Sequence, residues 1–409
     1  MTGDSHDSRT LSFEQLIPVP PSAPYHAFTN STALRNWLAD VATTAPRPGG
    51  RIYLATNEGD YMAGAYSALE PDREVAFTWQ GNGEPGPSQV RVTFVPEGEA
   101  TRVFLRHERL GSGPDWQATV DALEKQWPRA LENLASVLTT GEDLRFTRRP
   151  MLGIIVGDLN ERLAEELGVP VTEGIRLDSV IDGMGAAAAG LQARDVIVGV
   201  GGQETRNWET LQAAFAGLRA GDTVEVTYYR GPEKRQTAMT LSGRPIPELP
   251  ATMPALAEAV RACYEEIEAE LDAFFAAVDE AAAMYKPAPD VWSAAEILAH
   301  FIHSERFTQQ WIVQLVDGHE PWKDDWGDNL DAYIAATVSA YPSLAALLDE
   351  LKSHYRETVA LVANLPEDVA ERKGSFWRLA FELLQPPYHF RTHLEQIREA
   401  LAAAPVAVP

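Results

Sequence analysis

Cysteine is almost missing from this chain of 409 residues: Cys263 stands alone. An internal disulfide is therefore excluded, and the composition fits a reducing compartment. Long apolar runs are missing too, since none approaches the roughly 20 residues a membrane helix requires. Positive charge is scarce, with 34 Lys and Arg against 59 Asp and Glu, a formal net charge of −25. That field repels phosphate backbones and anionic lipid, and no dense basic run overrides it, so neither nucleic acid nor a membrane is an expected partner. The opening stretch from Met1 to Arg9 is polar and lacks the apolar centre of a secretory signal. A cytoplasmic location is the expectation.

The length exceeds one ordinary core. Joints at Arg145 to Pro150 and at Gly243 to Pro250 carry neither a helical nor a strand period. They divide the chain into expected domains at residues 1–144, 149–245 and 252–403.

The first segment opens with Pro18-Val19-Pro20-Pro21-Ser22-Ala23-Pro24-Tyr25 and a short helical stretch through Leu34 and Trp37. Half-buried strands are expected at Arg51 to Tyr53, Ala63 to Leu69, Glu74 to Trp79, Gln89 to Phe94 and Arg102 to His107, separated by glycine and proline. A final helix follows, begun by Pro128, with Leu131, Leu134 and Leu138 at helical spacing. Pro20 to Trp37, Pro48-Gly49-Gly50, Leu69-Glu70-Pro71, Phe77-Thr78-Trp79 and Trp127 make this segment resemble the SRPBCC (START-like) superfamily, in particular its Aha-type activator branch. The resemblance implies a helix-grip fold whose sheet and last helix enclose a cavity for an apolar small molecule. Trp79 and Phe94 either line that cavity or fill the core. His107 reads as structural.

In the second segment Pro150-Met151-Leu152-Gly153-Ile154, the run Gly185 to Ile197 and Arg219-Ala220-Gly221-Asp222 resemble a bacterial PDZ domain, a small β-sandwich or barrel-like fold. Such modules resemble those attached to serine proteases, yet no Ser-His-Asp set precedes this one, so proteolysis is not expected. A PDZ groove takes the C-terminal peptide of a partner as an added strand, with backbone amides holding the carboxylate. Leu152, Gly153 and Ile154 would supply that loop. On the helix from Trp208 to Leu218, the stripe Leu211, Ala214 and Leu218 faces the core, leaving Trp208, Gln212 and Phe215 for the groove. The domain is either a peptide reader or a spacer. The chain's own tail, Ala403 to Pro409, is apolar, but its prolines remove amide donors, so a foreign peptide is the expected occupant.

The third segment has at least four helical stretches, Leu256 to Glu280, Ser293 to Asp317, Leu330 to Asn364 and Phe376 to Ala402, the last interrupted at Pro386-Pro387. His389 and His393 lie four residues apart, so one helical turn stacks their imidazoles on one side. Such a pair needs a third ligand, and the earlier helix offers His300, which lies beside the inward stripe Ile297, Ser304, Trp311 and Leu315, whereas His303 is turned away. The runs Val291 to His300 and His389 to Ile397 resemble the DinB-like all-α four-helix bundle family. That family's pattern implies a site for a divalent transition metal, on His300, His389 and His393 here; imidazole ligands suit zinc, nickel or iron. Glu305 and Glu395 are expected to be solvated or paired, with no catalytic role.

The whole therefore reads as a multidomain α+β protein. Its expected function is that of a binding or adaptor protein combining an apolar ligand cavity, a peptide groove and a three-histidine metal site. The alternative is a metal-dependent enzyme acting with a small thiol, as a transferase or isomerase. No acid or base stands beside the histidines in the sequence, which favours the adaptor.

Overall fold

The computed structural model describes residues 8–405 apart from 58, 158, 216, 290 and 322–329. The stretch 1–7 of the polar start and 406–409 of the apolar tail lie outside the described residues. The chain forms two compact units, one from Met1–Asp143 together with Pro247–Pro409, the other from Leu144–Ile246.

In the first unit, β1 (Ser8–Ile17) leads into α1 (Ser22–Thr29) and α2 (Ser31–Trp37), then β2 (Val41–Thr44), β3 (Arg51–Ala55), β4 (Tyr61–Glu70), β5 (Glu74–Gly81), β6 (Ser88–Glu97), β7 (Ala100–Gly111) and the long α3 (Gln117–Thr140). The strands form one antiparallel sheet in the order β1-β7-β6-β5-β4-β3-β2, so the first strand returns to pair with the last. Alternation drives this, with Val90, Val92, Val103 and Leu105 fully buried on the inner face. The helix α3 lays Leu123, Trp127, Leu131, Leu134 and Val137 into the same core. Pro128 does not start that helix but sits inside it. The position is exposed, as is Glu124 one turn earlier, so the carbonyl freed by the missing N–H faces water rather than the core. Gly141 ends α3 in the left-handed region at φ 87°.

The second unit contains α4 (Leu144–Thr147), β8 (Ile154–Gly157), α5 (Glu161–Leu167), β9 (Ile175–Val180), α6 (Gly185–Ala188), β10 (Val196–Val200), β11 (Gln203–Glu204), α7 (Trp208–Ala214), β12 (Thr223–Arg230) and β13 (Glu233–Thr240). Its sheet runs β13-β12-β10-β9-β8, with β11 attached to β10. Asp195 is buried and held by Arg230, whose Nε and Nη2 each donate at 2.8 Å to one carboxylate oxygen. This two-point grip satisfies an otherwise costly buried charge.

The remainder of the first unit is helical: α8 (Met253–Phe275), α9 (Glu280–Met284), α10 (Ala294–Val316), α11 (Leu330–Ala340), α12 (Leu344–Ala363), α13 (Lys373–Leu383) and α14 (Pro386–Ala402). Leu256, Ile267, Ile297, Leu298, Leu347, Leu351, Leu379 and Ile397 meet in one core. The stretch expected as a single helix from Leu330 to Asn364 is two helices, broken at Tyr341-Pro342-Ser343, where Ser343 caps α12 through the backbone N–H of Ala346. Similarly, Pro386 and Pro387 do not merely interrupt the last stretch but open α14, because a first helical turn needs no N–H there.

The sheet portion and the helical portion are sealed together through α13. Asn36 on α2 donates to Ser375 Oγ at 3.0 Å and accepts from Arg378 Nη1 at 3.0 Å. Arg378 is also paired with the buried Glu320, which accepts from Trp311 Nε1 at 2.8 Å.

Candidate functional site

Two capping devices fix the geometry of the bundle site. Ser293 starts α10 with a capping box, its hydroxyl accepting from the N–H of Glu296 while the Glu296 carboxylate accepts from the N–H of Ser293. That sets His300 almost two turns in. The paired prolines start α14 three residues before His389, and His393 follows one turn later.

The structure brings the three expected histidines together. Their nitrogen donors lie within 4.8 Å of one another. The ring centroids are separated by 5.3 Å (His300 to His389), 5.1 Å (His300 to His393) and 4.9 Å (His389 to His393). Nε2 of His300 stands 3.3 Å from Nε2 of His389. Two nitrogens bound to one tetrahedral ion at metal–nitrogen distances of about 2.0–2.1 Å would be about 3.3 Å apart, so this edge already has the required length. The other nitrogen of His300, Nδ1, is buried without a hydrogen-bond partner.

Aromatic rings wall the site. Trp292 lies 5.3 Å from His300 between centroids, and Phe301 meets His389 and His393 edge-on, each at 5.5 Å. Burial pushes the His300 imidazolium down to about 4, with the neighbouring His389 and His393 adding to the effect, and burial likewise lowers His389. Both rings are therefore neutral at pH 7, the form that offers a lone pair to a metal. The donor set, the spacing and the protonation state all fit a divalent ion.

Sequence reasoning missed Gln396. Its carboxamide oxygen sits 2.8 Å from His393 Nδ1, which donates to it and leaves Nε2 with its lone pair. The signal was available, since Gln396 follows His393 by three residues and so shares its helix face. Glu305, expected to be solvated or paired, is buried and held by hydrogen bonds, accepting from Tyr264 Oη at 3.0 and 3.1 Å and from Thr358 Oγ1 at 2.9 Å. Burial pushes its carboxyl up to about 7 against those hydrogen bonds. It belongs to the core contacts of α8, α10 and α12.

In the second unit, β8 is the sheet edge, so one side of its backbone has no strand partner among the described residues. Gly153 just before it has φ 76°, and a Cβ there would lie 2.2 Å from that of Met184, so only glycine fits this loop. Leu152 is buried, and Ile154 and Phe215 pack half-buried on the same apolar cluster as Leu211 and Ala214. Trp208 and Gln212 project outward from α7, Trp208 being 56% exposed. In the first sheet, Trp79 and Phe94 have different surroundings. Trp79 meets His107 and Trp127, each at 5.6 Å, and donates from Nε1 to Glu84 at 2.9 Å. Phe94 is buried against Tyr25 and Phe28.

The architecture is thus that of a multidomain α+β protein: a sheet gripping a long helix, a small antiparallel sheet domain and a helical bundle. Family models match the three parts in this order: Activator of Hsp90 ATPase homolog 1-like protein over residues 18–139, PDZ domain over 150–241 and DinB superfamily over 263–397. The chain carries an Aha1-like, a PDZ and a DinB-like domain. Among curated proteins it is similar to the serine protease Do-like HtrA of Lactococcus lactis subsp. lactis, 39% identical over 99 residues, which is 23% of this chain and 24% of the protease. The chain thus spans about a quarter of that relative's length. Among solved structures, protein MLL2253 from Mesorhizobium loti is 25% identical, with 32% of this chain and 96% of that one covered at a TM-score of 0.29. An HSP90 activator from Plasmodium falciparum is 20% identical, with 32% and 95% covered at a TM-score of 0.28. No helix among the described residues is long and apolar enough to cross a membrane.

Proposed function

We propose that this chain is a multidomain binding protein whose bundle holds one divalent transition metal, zinc, nickel or iron, on His300, His389 and His393. The observation that carries the reading is the convergence of three imidazoles from two helices, with donors within 4.8 Å of one another. In this reading the modules at residues 1–144, 149–245 and 252–403 act as separate binding functions on one chain. The first takes an apolar small molecule, with Trp79 and Phe94 in its walls. The second captures the C-terminal peptide of a partner, in the groove formed by Leu152, Gly153, Ile154, Trp208, Gln212 and Phe215. The lone cysteine supports a cytosolic setting.

A second reading is favoured by one observation: among the described residues the metal-ligating group contains three side chains, not four. A three-donor set leaves a position for water or a thiolate, as catalytic metal sites do. A bound ion would supply Lewis acidity there, and the enzyme would act on a small thiol as a transferase or isomerase. The neutral histidines and the Gln396 contact serve either reading, because both orient and hold the ion.

Loading the metal-free full chain with cobalt(II) tests the proposal. A visible absorption spectrum of a low-coordinate nitrogen site, lost in His389→Ala, is expected. Cobalt that stays six-coordinate, or a spectrum indifferent to that change, contradicts it. Addition of a small thiol then separates the two readings, since a thiolate entering the open position adds a sulfur-to-cobalt band only if the position is accessible.

A further inference from the structure

Helix α13 carries none of the three histidines, yet it is tied to both helices that do. Two residues, Leu384 and Gln385, connect it to α14, and their N–H groups stay bonded to α13, at the carbonyls of Ala380 (3.1 Å) and Glu382 (3.3 Å). The Gln385 carbonyl in turn accepts from the N–H of His389 at 3.3 Å, so the backbone of this histidine is held to the end of α13. Arg378 provides the second tie. It is paired with Glu320, which accepts from Trp311 Nε1, and its guanidinium lies 5.7 Å from the centre of the Trp311 ring on α10, the helix of His300. Within the bundle Leu379, Ala380 and Leu383 share a core with Phe301, the ring that meets His389 and His393.

The other end of α13 is seated on the Aha-like domain. A Cβ at Gly374 would lie 2.6 Å from Val137 Cγ1 on α3 and 3.2 Å from Asn36 Cβ on α2, where carbon contacts need about 3.5–4.0 Å. Only a residue without a side chain permits this approach. Asn36 adds its bonds to Ser375 and Arg378, and the Lys373 ammonium donates to the Thr139 carbonyl. Asn36 and Val137 are both buried, and Val137 belongs to the core that the sheet grips, so the seat has little room to yield. Close-packed interiors pass a displacement on rather than absorb it. A ligand set, by contrast, must be held to within about half an ångström of its working geometry.

We propose that α13 is a strut by which the Aha-like domain positions the metal ligands, with Asn36, Val137 and Gly374 as positioning residues for a site to which they supply no donor. This rests on the metal reading above and adds that the bundle site is controlled from the first domain. Whatever moves α2 or α3 changes the metal affinity, and by linkage the bound metal holds α2 and α3 in place.

Zinc affinity of the full chain, measured by competition with a chromogenic chelator, tests this through a cycle of variants. Gly374→Ala suits a helix by propensity but presses α13 away from Val137. It is expected to weaken zinc about tenfold and to shift the visible bands of the cobalt-loaded chain. In the background of Val137→Ala, which clears the space, the same Gly374→Ala change is expected to leave affinity and bands unaltered. Zinc affinity and cobalt bands unmoved by Gly374→Ala in the otherwise unaltered chain overturn the proposal even where the urea midpoint falls, because a seat that served stability alone would leave the site untouched. An equal effect of Gly374→Ala in both backgrounds also overturns it. If Gly374→Ala does not fold, Asn36→Ala, which removes the bonds to Ser375 and Arg378, is expected to weaken zinc, and an unchanged affinity overturns the strut. Should the unaltered chain hold no zinc, the metal reading fails separately, and amide hydrogen exchange decides the strut without an ion. Faster exchange from His389 to His393 in Gly374→Ala, absent when Val137→Ala is present, supports it, and unchanged exchange overturns it.

Discussion

Gln396 and His107 show how single side chains set the chemistry of this molecule. With Nδ1 of His393 donating to Gln396, the ring is held in the tautomer that presents Nε2 to an ion. Gln396→Leu is expected to weaken metal binding about tenfold to a hundredfold, measured by competition with a chromogenic chelator; an unchanged affinity would show that the contact orients nothing. His107 is fully buried, accepting at Nδ1 from Trp127 Nε1 at 3.0 Å and standing 2.7 Å from Ser88 Oγ, to which Nε2 donates. Burial pushes its imidazolium down to about 4 from the ordinary 6.5. Between those values the unfolded chain binds the proton and the folded chain does not, so stability is full above pH 6.5 and falls as pH drops towards 4. The loss from this one group is about 3 kcal/mol. Urea unfolding at pH 7.5 and 4.5 should show it, with a shallower pH dependence in His107→Gln. The pairing of His389 with His393 was legible in the sequence because helical spacing stacks them, and His300 from its place beside the inward stripe of its own helix and from the family resemblance; the structure brings the three together. The burial of Glu305 was not, because its environment is made by Tyr264 and Thr358, distant in the chain.

At the scale of elements, prolines carried most of the differences between reading and structure. Pro128 read as a helix start because a first turn is where proline fits best, but its exposed position allows it inside α3. Pro342 was overlooked in a run of otherwise helical composition, yet it separates α11 from α12. The first strand was missed altogether, since the exposed half of its alternation carries Ser8, Thr10, Ser12 and Glu14 and only the return of β1 to pair with β7 supplies its partner. The order of strands and helices in the second unit follows the resemblance, and it leaves β8 as an edge. An apolar heptapeptide with a free C-terminus is expected to bind along that edge, and its C-terminal amide is expected not to bind. Trp208→Ala, at an exposed position, should weaken the free-acid peptide without lowering the melting temperature. Fluorescence polarisation with both peptides checks this; equal affinity for acid and amide would leave the domain as a spacer.

For the whole molecule, the notable fact is that the Aha1-like and DinB-like domains belong to one compact unit although the PDZ domain separates them in sequence. No periodicity could reveal this, because the join rests on residues more than 230 positions apart, such as Asn36 with Ser375 and Arg378 and Thr139 with Lys373. In the Arg378–Glu320 pair Glu320 is buried and Arg378 is 12% exposed, so removing Glu320 strands a largely desolvated charge. Glu320→Ala is expected to destabilise the unit by about 3–5 kcal/mol, seen as a lower urea midpoint; a loss below about 1 kcal/mol would mean the pair is solvated in solution.

The most direct measurement is the metal content of the full chain after loading with zinc and exhaustive removal of free ion, read by plasma mass spectrometry. About one zinc per chain is expected, falling to a small residue in His393→Ala and to none in the His300→Ala, His389→Ala, His393→Ala triple variant. Zinc retained in full by the triple variant, or no zinc held by the unaltered folded chain, would contradict the metal site.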